Sequence, residues 1–200
     1  ARFGADIHFA NQLYGKVLRS PHAHARIKSI DTSRAEAHPE VKAVITSKDL
    51  VSEGDELVEF GEATPIATKY LSNNVLAENK VLYKGHAVAA VAAVNPHIAE
   101  AALSLIDVDY EVLPPVLDVR EAMKDDAPLL LEDQTTKSGG EDTGKKSNIA
   151  NQFQHKLGDV EKGFKEADVV IEREFHTGTV HQGYIEPHNA TAMWNEDGQL

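Results

Sequence analysis

With 200 residues, of which 42% are hydrophobic, the chain is long enough for one substantial core or two modest domains. Its 20 basic and 32 acidic residues give a formal net charge of −12, which repels phosphate backbones and argues against nucleic-acid binding. The lack of cysteine excludes disulfides, thiolate nucleophiles and iron–sulfur ligation by these residues. No apolar stretch could span a bilayer and no signal peptide opens the chain, so we expect a soluble, cytoplasmic protein.

Two strands are predicted first in chain order. Residues 13–19 favour a strand that ends before Pro21, because proline cannot donate to a ladder. The second strand is predicted at 24–30, where polar and apolar residues alternate. This alternation places His24 and Arg26 on a solvated face.

A short helix and a third strand follow. Asp31 and Thr32 are suitable N-cap residues for the helix, and Pro39 ends it. Residues 41–45 then form the next predicted strand, which completes a strand–helix–strand element. Residues 47–80 show no sustained period and are acidic and polar, so we predict a long surface loop there.

Residues 81–116 carry the clearest pattern in the chain, and they predict a strand, a helix and a further strand. The unbroken apolar run between Gly85 and Pro96 is typical of a strand that is buried on both faces. Asn95 is placed to cap a helix that has Pro96 at its first position. The predicted buried stripe of this helix consists of Ile98, Ala101, Ala102 and Leu105. Alternation over 107–112 predicts a strand with one solvated face.

The composition changes after Pro115. Residues 118–123 predict one or two helical turns, whereas 124–147 are polar and contain the pair Gly139-Gly140, which predicts a linker that cannot fold alone. The remaining predicted elements are a helix at 158–167, strands near 169–175 and 188–194, and a hairpin turn at 195–198. Since the chain begins without methionine and stops after a turn, we expect it to be a piece of a longer protein.

Histidines are the only nitrogen side chains in this sequence suited to bind a metal, and they fall into two groups of interest. His22 and His24 would share one face of a strand. No carboxylate or third histidine has a sequence spacing that indicates a metal site with them, so a structural role is favoured. The stretch 176–188 holds three histidines and is the densest group of polar side chains in the chain. Its other notable members are Gln182, Gly183 and Glu186. Without a visible partner, a packing or hydrogen-bonding role is favoured here too.

Four runs of residues carry a family resemblance. They are 14–27, with Arg-Ser-Pro-His-Ala-His-Ala-Arg-Ile; 41–50, with Val-Lys-Ala-Val-Ile-Thr; 81–116; and 167–188, with Glu-Pro-His. In this order they resemble the large subunit of the molybdenum hydroxylases, the family of xanthine dehydrogenase, aldehyde oxidoreductase and carbon monoxide dehydrogenase. One departure is Gly85-His86-Ala87, where the family frequently has Gly-Gln-Pro, and it affects a turn.

The resemblance implies an α+β fold with three regions. Residues 1–116 are similar to the α/β hammerhead domain, 148–200 to the first strands of a molybdopterin-binding domain, and 117–147 would link the two. It also implies oxidative hydroxylation of an aldehyde, an N-heterocycle or a related small molecule, with water as the oxygen source. The molybdopterin cofactor would be bound outside these residues, with FAD and iron–sulfur clusters on partner subunits or domains.

The resemblance places no catalytic residue of the family on this sequence, so we expect the chain by itself to be structural and inactive. We hypothesise that Gln182, Gly183 and Glu186 support the wall of the substrate funnel or a contact with a neighbouring domain. One alternative is a stand-alone hammerhead scaffold without catalysis. Another is a metal-binding protein that uses His22 and His24.

Overall fold

The computed structural model describes residues 3–50, 56–58, 66–186 and 188–200. The chain divides into two compact units, Asn11–Gln152 and a second that joins the residues up to Ala10 with Phe153–Leu200. The strands are β1 Tyr14–Arg19, β2 Ala25–Asp31, β3 Val41–Thr46, β4 Leu57–Val58, β5 Ile66–Ala67, β6 Lys80–Val81, β7 Ala87–Ala93, β8 Asp107–Val112, β9 Thr135–Ser138, β10 Glu141–Lys146 and β11 Asn151–Gln152. The helices are α1 Ser33–Glu36, α2 Thr68–Val75, α3 Pro96–Leu103, α4 Val119–Ala122 and α5 Val160–Glu166. This mixture of small sheets and short helices is an α+β fold.

Two three-stranded antiparallel sheets form the centre of the unit Asn11–Gln152. The first sheet has the strand order β1-β7-β3, and the second has the order β6-β2-β8. In the first sheet β7 lies in the middle, where Ala90 pairs with Val17 on one side and with Ile45 on the other. The strands predicted at 13–19, 24–30 and 41–45 are therefore confirmed.

Strand β7 is apolar throughout because its two faces contribute to two separate clusters. Val91 packs in one cluster with Ala99 and Ala102 of α3, whereas Val88 packs in the other with Val81 of β6. Both valines are almost completely buried. The prediction of a strand buried on both faces is confirmed, and the middle position of β7 gives the physical reason.

Helix α3 begins as the sequence predicts. The Asn95 side-chain oxygen accepts a hydrogen bond of 2.9 Å from the N–H of Ile98, and Pro96 occupies the first turn. The predicted stripe is correct at Ala102 but wrong at Ala101, which is exposed, while Ala99 is fully buried. The small side chains of the true buried face let the helix lie close to β1 and β7.

The two strand–helix–strand elements each connect the two sheets. The element β2-α1-β3 leaves the second sheet and enters the first, and β7-α3-β8 returns from the first sheet to the second. The two strands within an element do not pair with each other. Each sheet is consequently built from strands of both elements.

The described parts of 47–80 contain regular elements where the sequence predicts a surface loop. They include α2 and β6, and the residues between these elements, Leu76 and Ala77, are buried in the unit. Parts of the predicted loop, 51–55 and 59–65, lie outside the described residues. The loop prediction was wrong for 68–80 because a helix without a strong apolar stripe can still be held by its neighbours.

The segment 124–147, predicted as a linker that cannot fold alone, contains a β-hairpin. Strands β9 and β10 pair antiparallel, and Gly139 and Gly140 join them with φ angles of 58° and 94°. Two successive positive φ angles are what the tight hairpin turn of type I′ requires, and glycine adopts them without strain. Thr136 and Ser147 share a buried hydroxyl–hydroxyl hydrogen bond of 2.8 Å across the hairpin. The region boundaries at 116 and 147 stay a prediction.

Asn148 fastens the chain that precedes this hairpin. Its side-chain amide donates to the carbonyl oxygens of Ala122 and Pro128, at 3.1 and 3.0 Å, and its oxygen accepts from the N–H of Leu130 at 2.9 Å. One half-buried side chain thus holds three backbone groups of the segment 122–130 in place.

The unit that contains Phe153–Leu200 has little regular structure. Helix α5 is confirmed, with the Asp159 carboxylate accepting from the N–H of Lys162 at 3.0 Å. The turn at 195–198 is also confirmed by the hydrogen bond from the N–H of Asn195 to the carbonyl of Gln199, 2.9 Å. The predicted strands at 169–175 and 188–194 are wrong for the described residues, since neither belongs to a ladder. A strand needs a neighbour to satisfy its N–H and C=O groups.

Candidate functional site

The polar stretch 176–188 forms a shallow surface site in the second unit. Gly183 and Glu186 both line an open cavity of about 590 Å³. The other residues that line it are Tyr184, Ile185, His188 and Asn189. Gly183 has a φ of +66°, and its N–H donates to Nδ1 of His181 at 2.9 Å, which shapes the turn before the cavity. Gln182 is exposed and does not belong to this lining.

The remaining side chains of this stretch are also open to solvent. His176 pairs with Glu174 at 3.2 Å on the surface, and the rings of Tyr184 and His188 lie 6.3 Å apart. Pro187 lies outside the described residues. The geometry therefore brings together two of the three predicted residues, Gly183 and Glu186, without enclosing them.

His22 and His24 do not form a common site. His24 is buried rather than solvated, and its Nδ1–H donates to the carbonyl of Pro114 at 2.7 Å. The His22 ring instead lies edge-on to Tyr110, with centroids 5.1 Å apart. Within the described ranges, no three side chains of His, Asp or Glu are arranged to hold a metal ion. The His24 ring is thus held by a hydrogen bond, and the His22 ring packs against Tyr110.

A second cavity, of about 320 Å³, lies in the unit Asn11–Gln152 and was not predicted. Its walls come from β2, α2, β6 and the segment 130–133. Lys80 reaches Glu132 at 3.2 Å and the carbonyl of Leu129 at 3.1 Å, and Lys69 reaches Asp133 at 2.8 Å. These ion pairs fasten the segment to the wall formed by α2 and β6.

Charge pairing dominates the electrostatics of this cavity. The hydrogen bond and charge of Lys80, helped by Arg26, hold the pKa of Glu132 below its usual value. The hydrogen bond from Lys69 lowers the pKa of Asp133 in the same way. Both carboxylates stay ionised at neutral pH, and they balance the cations beside them. The sequence could not indicate these pairs, since Arg26 and Lys80 are far from Glu132 along the chain.

The matches to known proteins identify the family. The model described as "Aldehyde oxidase and xanthine dehydrogenase, a/b hammerhead domain" matches residues 1–114, more than half of the chain. The chain belongs to this family. A second model, "Molybdopterin cofactor-binding domain", matches residues 142–200. The predicted hammerhead fold and the family resemblance are both confirmed.

Two relatives show how much of a family member the chain represents. It is 36% identical over 197 residues to a probable xanthine dehydrogenase subunit from Bacillus subtilis (strain 168), covering 98% of this chain and 23% of that protein. It is 38% identical over 190 residues to "Carbon monoxide dehydrogenase large chain" of Afipia carboxidovorans, covering 90% of this chain and 22% of that protein. The chain thus spans less than a quarter of these two relatives.

Solved structures of the family also match this chain over only a small part of their own length. The chain resembles a reconstituted CO dehydrogenase from Oligotropha carboxidovorans with a TM-score of 0.65 and 37% identity, over 84% of this chain and 20% of that one. An aldehyde oxidoreductase from Desulfovibrio desulfuricans gives a TM-score of 0.54 and 31% identity, over 65% and 15%. In the part of the chain that the structure describes, no helix is long and apolar enough to cross a membrane.

Proposed function

We propose that the chain is the N-terminal part of the large subunit of a molybdenum hydroxylase. The whole enzyme would hydroxylate an aldehyde, an N-heterocycle or a related small molecule, with water as the oxygen source. The observation that supports this most strongly is the presence of both family models in sequence, at 1–114 and 142–200. A cytoplasmic location and partner subunits carrying FAD and iron–sulfur clusters belong to the same proposal. The relatives' names, which describe a large chain and one subunit among several, support the partners.

The described residues do not by themselves form a site for a molybdopterin. Gly183 and Glu186 line an open cavity, Gln182 lies outside it, and no ligand cluster for a metal occurs in the described part of the chain. The proposal therefore places the cofactor on residues outside this sequence. The relatives, which are more than four times as long as the matched region, have room for such a site.

In this proposal the unit Asn11–Gln152 is a rigid scaffold, and the second unit supplies contacts to the rest of the molybdopterin domain. Exposed apolar side chains support this role, because such groups are usually covered in an assembled protein. They include Phe153, Leu157, Ile171, Phe175, Ile185 and Trp194. Gln182, Gly183 and Glu186 would lie at the substrate funnel or at the contact with the neighbouring domain.

The first test is the metal and pterin content of the full-length protein, purified from its own source with its partner subunits. We expect molybdenum and pterin in stoichiometric amounts with the large subunit, together with flavin and iron in the same complex. A full-length protein without molybdenum or pterin would contradict the proposal and would favour a stand-alone hammerhead scaffold.

The proposed role of the polar stretch is tested in the same complex with Glu186→Ala. We expect lower turnover or a lower cofactor content, since Glu186 would support the funnel or a domain contact. Glu196→Ala, in the turn at 195–198, is the matched control and should behave like the wild type. If turnover, cofactor content and stability are unchanged in Glu186→Ala, this residue has no such role.

A further inference from the structure

His86 is a buried histidine whose two ring nitrogens both bind the backbone. Its side chain is completely inaccessible to solvent. Nδ1 accepts a hydrogen bond of 3.2 Å from the N–H of Leu82, and Nε2 lies 2.8 Å from the carbonyl oxygen of Asn73 in α2. The ring also stacks on Tyr83, with centroids 4.4 Å apart. His86 therefore connects the turn 82–86 to α2.

These contacts define the protonation state that the fold requires. A backbone N–H can only donate, so Nδ1 must carry a lone pair toward Leu82. A backbone carbonyl can only accept, so Nε2 must carry the proton that it donates to Asn73. The neutral imidazole with its proton on Nε2 satisfies both groups, and the doubly protonated ring satisfies only one.

In the part of the chain that the structure describes, the groups around His86 do not compensate a positive charge. From β1, Arg19 donates to the carbonyl of Gly85 at 2.9 Å, and the turn itself carries Lys84. The neighbouring polar groups are neutral: the Ser20 N–H donates to the His86 carbonyl at 2.9 Å, and the Tyr83 hydroxyl donates to Asn74 of α2. Among the described residues no carboxylate forms an ion pair with the ring.

Burial of the ring agrees with this geometry. It lowers the pKa of His86 from the ordinary histidine value, and the hydrogen bond to the Asn73 carbonyl opposes the shift only in part. The folded state thus favours the neutral imidazole that both backbone contacts need.

We propose that His86 is an acid-sensitive clamp between the turn 82–86 and α2, closed while the imidazole is neutral and opened when Nδ1 gains a proton. In the protonated ring, Nδ1–H faces the N–H of Leu82, so two donors meet, and a charged ring is costly in a buried position. The ring therefore moves out toward solvent, and the hydrogen bond from Nε2 to the carbonyl of Asn73 is broken with this movement. Helix α2 also carries Lys69, whose ion pair with Asp133 forms part of the 320 Å³ cavity. Opening the clamp therefore loosens one wall of that cavity.

The direction of the pH effect follows from the binding of protons. Because the pKa of His86 is lower in the folded state than in the unfolded chain, the unfolded chain binds more protons once the pH approaches the ordinary histidine value. The stabilising contribution is complete above a pH of about 6.5 and is lost as the pH falls below that value. This inference does not depend on the proposed enzymatic function.

The test is hydrogen–deuterium exchange of the full-length protein in its native complex at neutral pH and at pH 5, corrected for the intrinsic exchange rates. We expect the protection of peptides that cover α2 to fall by about tenfold at the lower pH, the effect of one ordinary hydrogen bond. Helix α3, capped by Asn95, is the internal reference and should keep its protection. An equal loss of protection in α2 and α3, or no loss in α2, would overturn the proposal.

The variant His86→Gln tests the charge of the ring separately from its two hydrogen bonds. Like the neutral imidazole, the glutamine amide has one acceptor and one donor atom joined through a single carbon, but it does not titrate. We expect the variant to keep α2 protected at both pH values, whereas the control His22→Gln should respond to pH as the wild type does. A wild-type pH response in His86→Gln would overturn the proposal. If His86→Gln does not fold, the wild-type comparison of α2 with α3 decides alone.

Discussion

Val91 and Val170 lie in two segments that the sequence predicts to be strands, and their environments are opposite. Val91 is 1% exposed in the middle strand of a sheet, whereas Val170 is 57% exposed. Strand β7 has a strand on either side and α3 against one face, whereas 169–175 has no ladder partner in the described residues. An apolar run therefore specifies a strand only where the same unit supplies its neighbours.

The two regions are expected to differ most in the free energy of unfolding that is lost when each valine is replaced by aspartate. In the 200-residue chain, Val91→Asp buries an unpaired carboxylate in the unit Asn11–Gln152, and we expect it to lower the free energy of unfolding by about 4 kcal/mol or more. Val170→Asp lies at an exposed position and should change it by less than about 0.5 kcal/mol. Urea denaturation followed by circular dichroism measures both. Similar losses in the two variants would show that the two regions are equally packed.

A smaller effect is expected at the anchor of the segment 122–130. Asn148→Ala removes three hydrogen bonds to backbone groups and should cost about 2 kcal/mol, because the partners are left partly unsatisfied. Asn151→Ala, at an exposed position nearby, is the control and should be close to neutral. Denaturation gives the free energy, and limited proteolysis shows whether 122–130 becomes accessible. Equal behaviour of the two variants would mean that Asn148 is not an anchor.

The smallest change in the free energy of unfolding is expected when the N-cap side chains of α3 and α5 are removed. Asn95→Ala and Asp159→Ala each remove a side-chain acceptor from a helix N-terminus, a change worth about 1 kcal/mol of helix stability. We expect only Asn95→Ala to lower the cooperative unfolding free energy, since α3 packs in a core and the residues of α5 are exposed. Amide exchange should show the Asp159→Ala effect as local fraying of α5. A cooperative loss in both variants would contradict the contrast between the units.

The elements that the sequence predicted well are those with local signals. Asn95 and Pro96 mark the start of α3 through the chemistry of the helix terminus itself, and β7 is marked by an apolar run of the length of a strand. The choice between Ala99 and Ala101 for the buried face was beyond the sequence, because both lie on plausible stripes and only the position of the neighbouring sheet separates them.

The elements that were missed depend on distant residues. Helix α2 contains Asn73 and Asn74, which are weak helix formers, and it is held by His86 and by the buried residues that follow it. The hairpin β9–β10 shows no alternation of apolar and polar residues, which agrees with the exposure of β10 along its length. The pair Gly139-Gly140 was therefore its only local signal.

The candidate site was predicted in part. Gly183 and Glu186 were found as members of a dense polar stretch, and they do share a surface cavity. The cavity at Lys80 and Glu132 was missed because it joins residues that are far apart in sequence. His86 was noticed only as a departure within a turn, since burial of a histidine is not visible in its neighbours along the chain.

Because each strand–helix–strand element places its two strands in different sheets, the order of synthesis affects how the chain can fold on the ribosome. Strands β1 and β3 leave the ribosome early, but the strand that lies between them, β7, begins about 40 residues after β3 ends. At a translation rate of roughly 5 to 20 residues per second, both wait several seconds with unpaired backbone edges. During this interval the nascent chain presents two strands with unpaired edges, and such edges can pair wrongly with other chains. Slowing translation between β3 and β7 should therefore increase aggregation of this chain more than slowing it after β8.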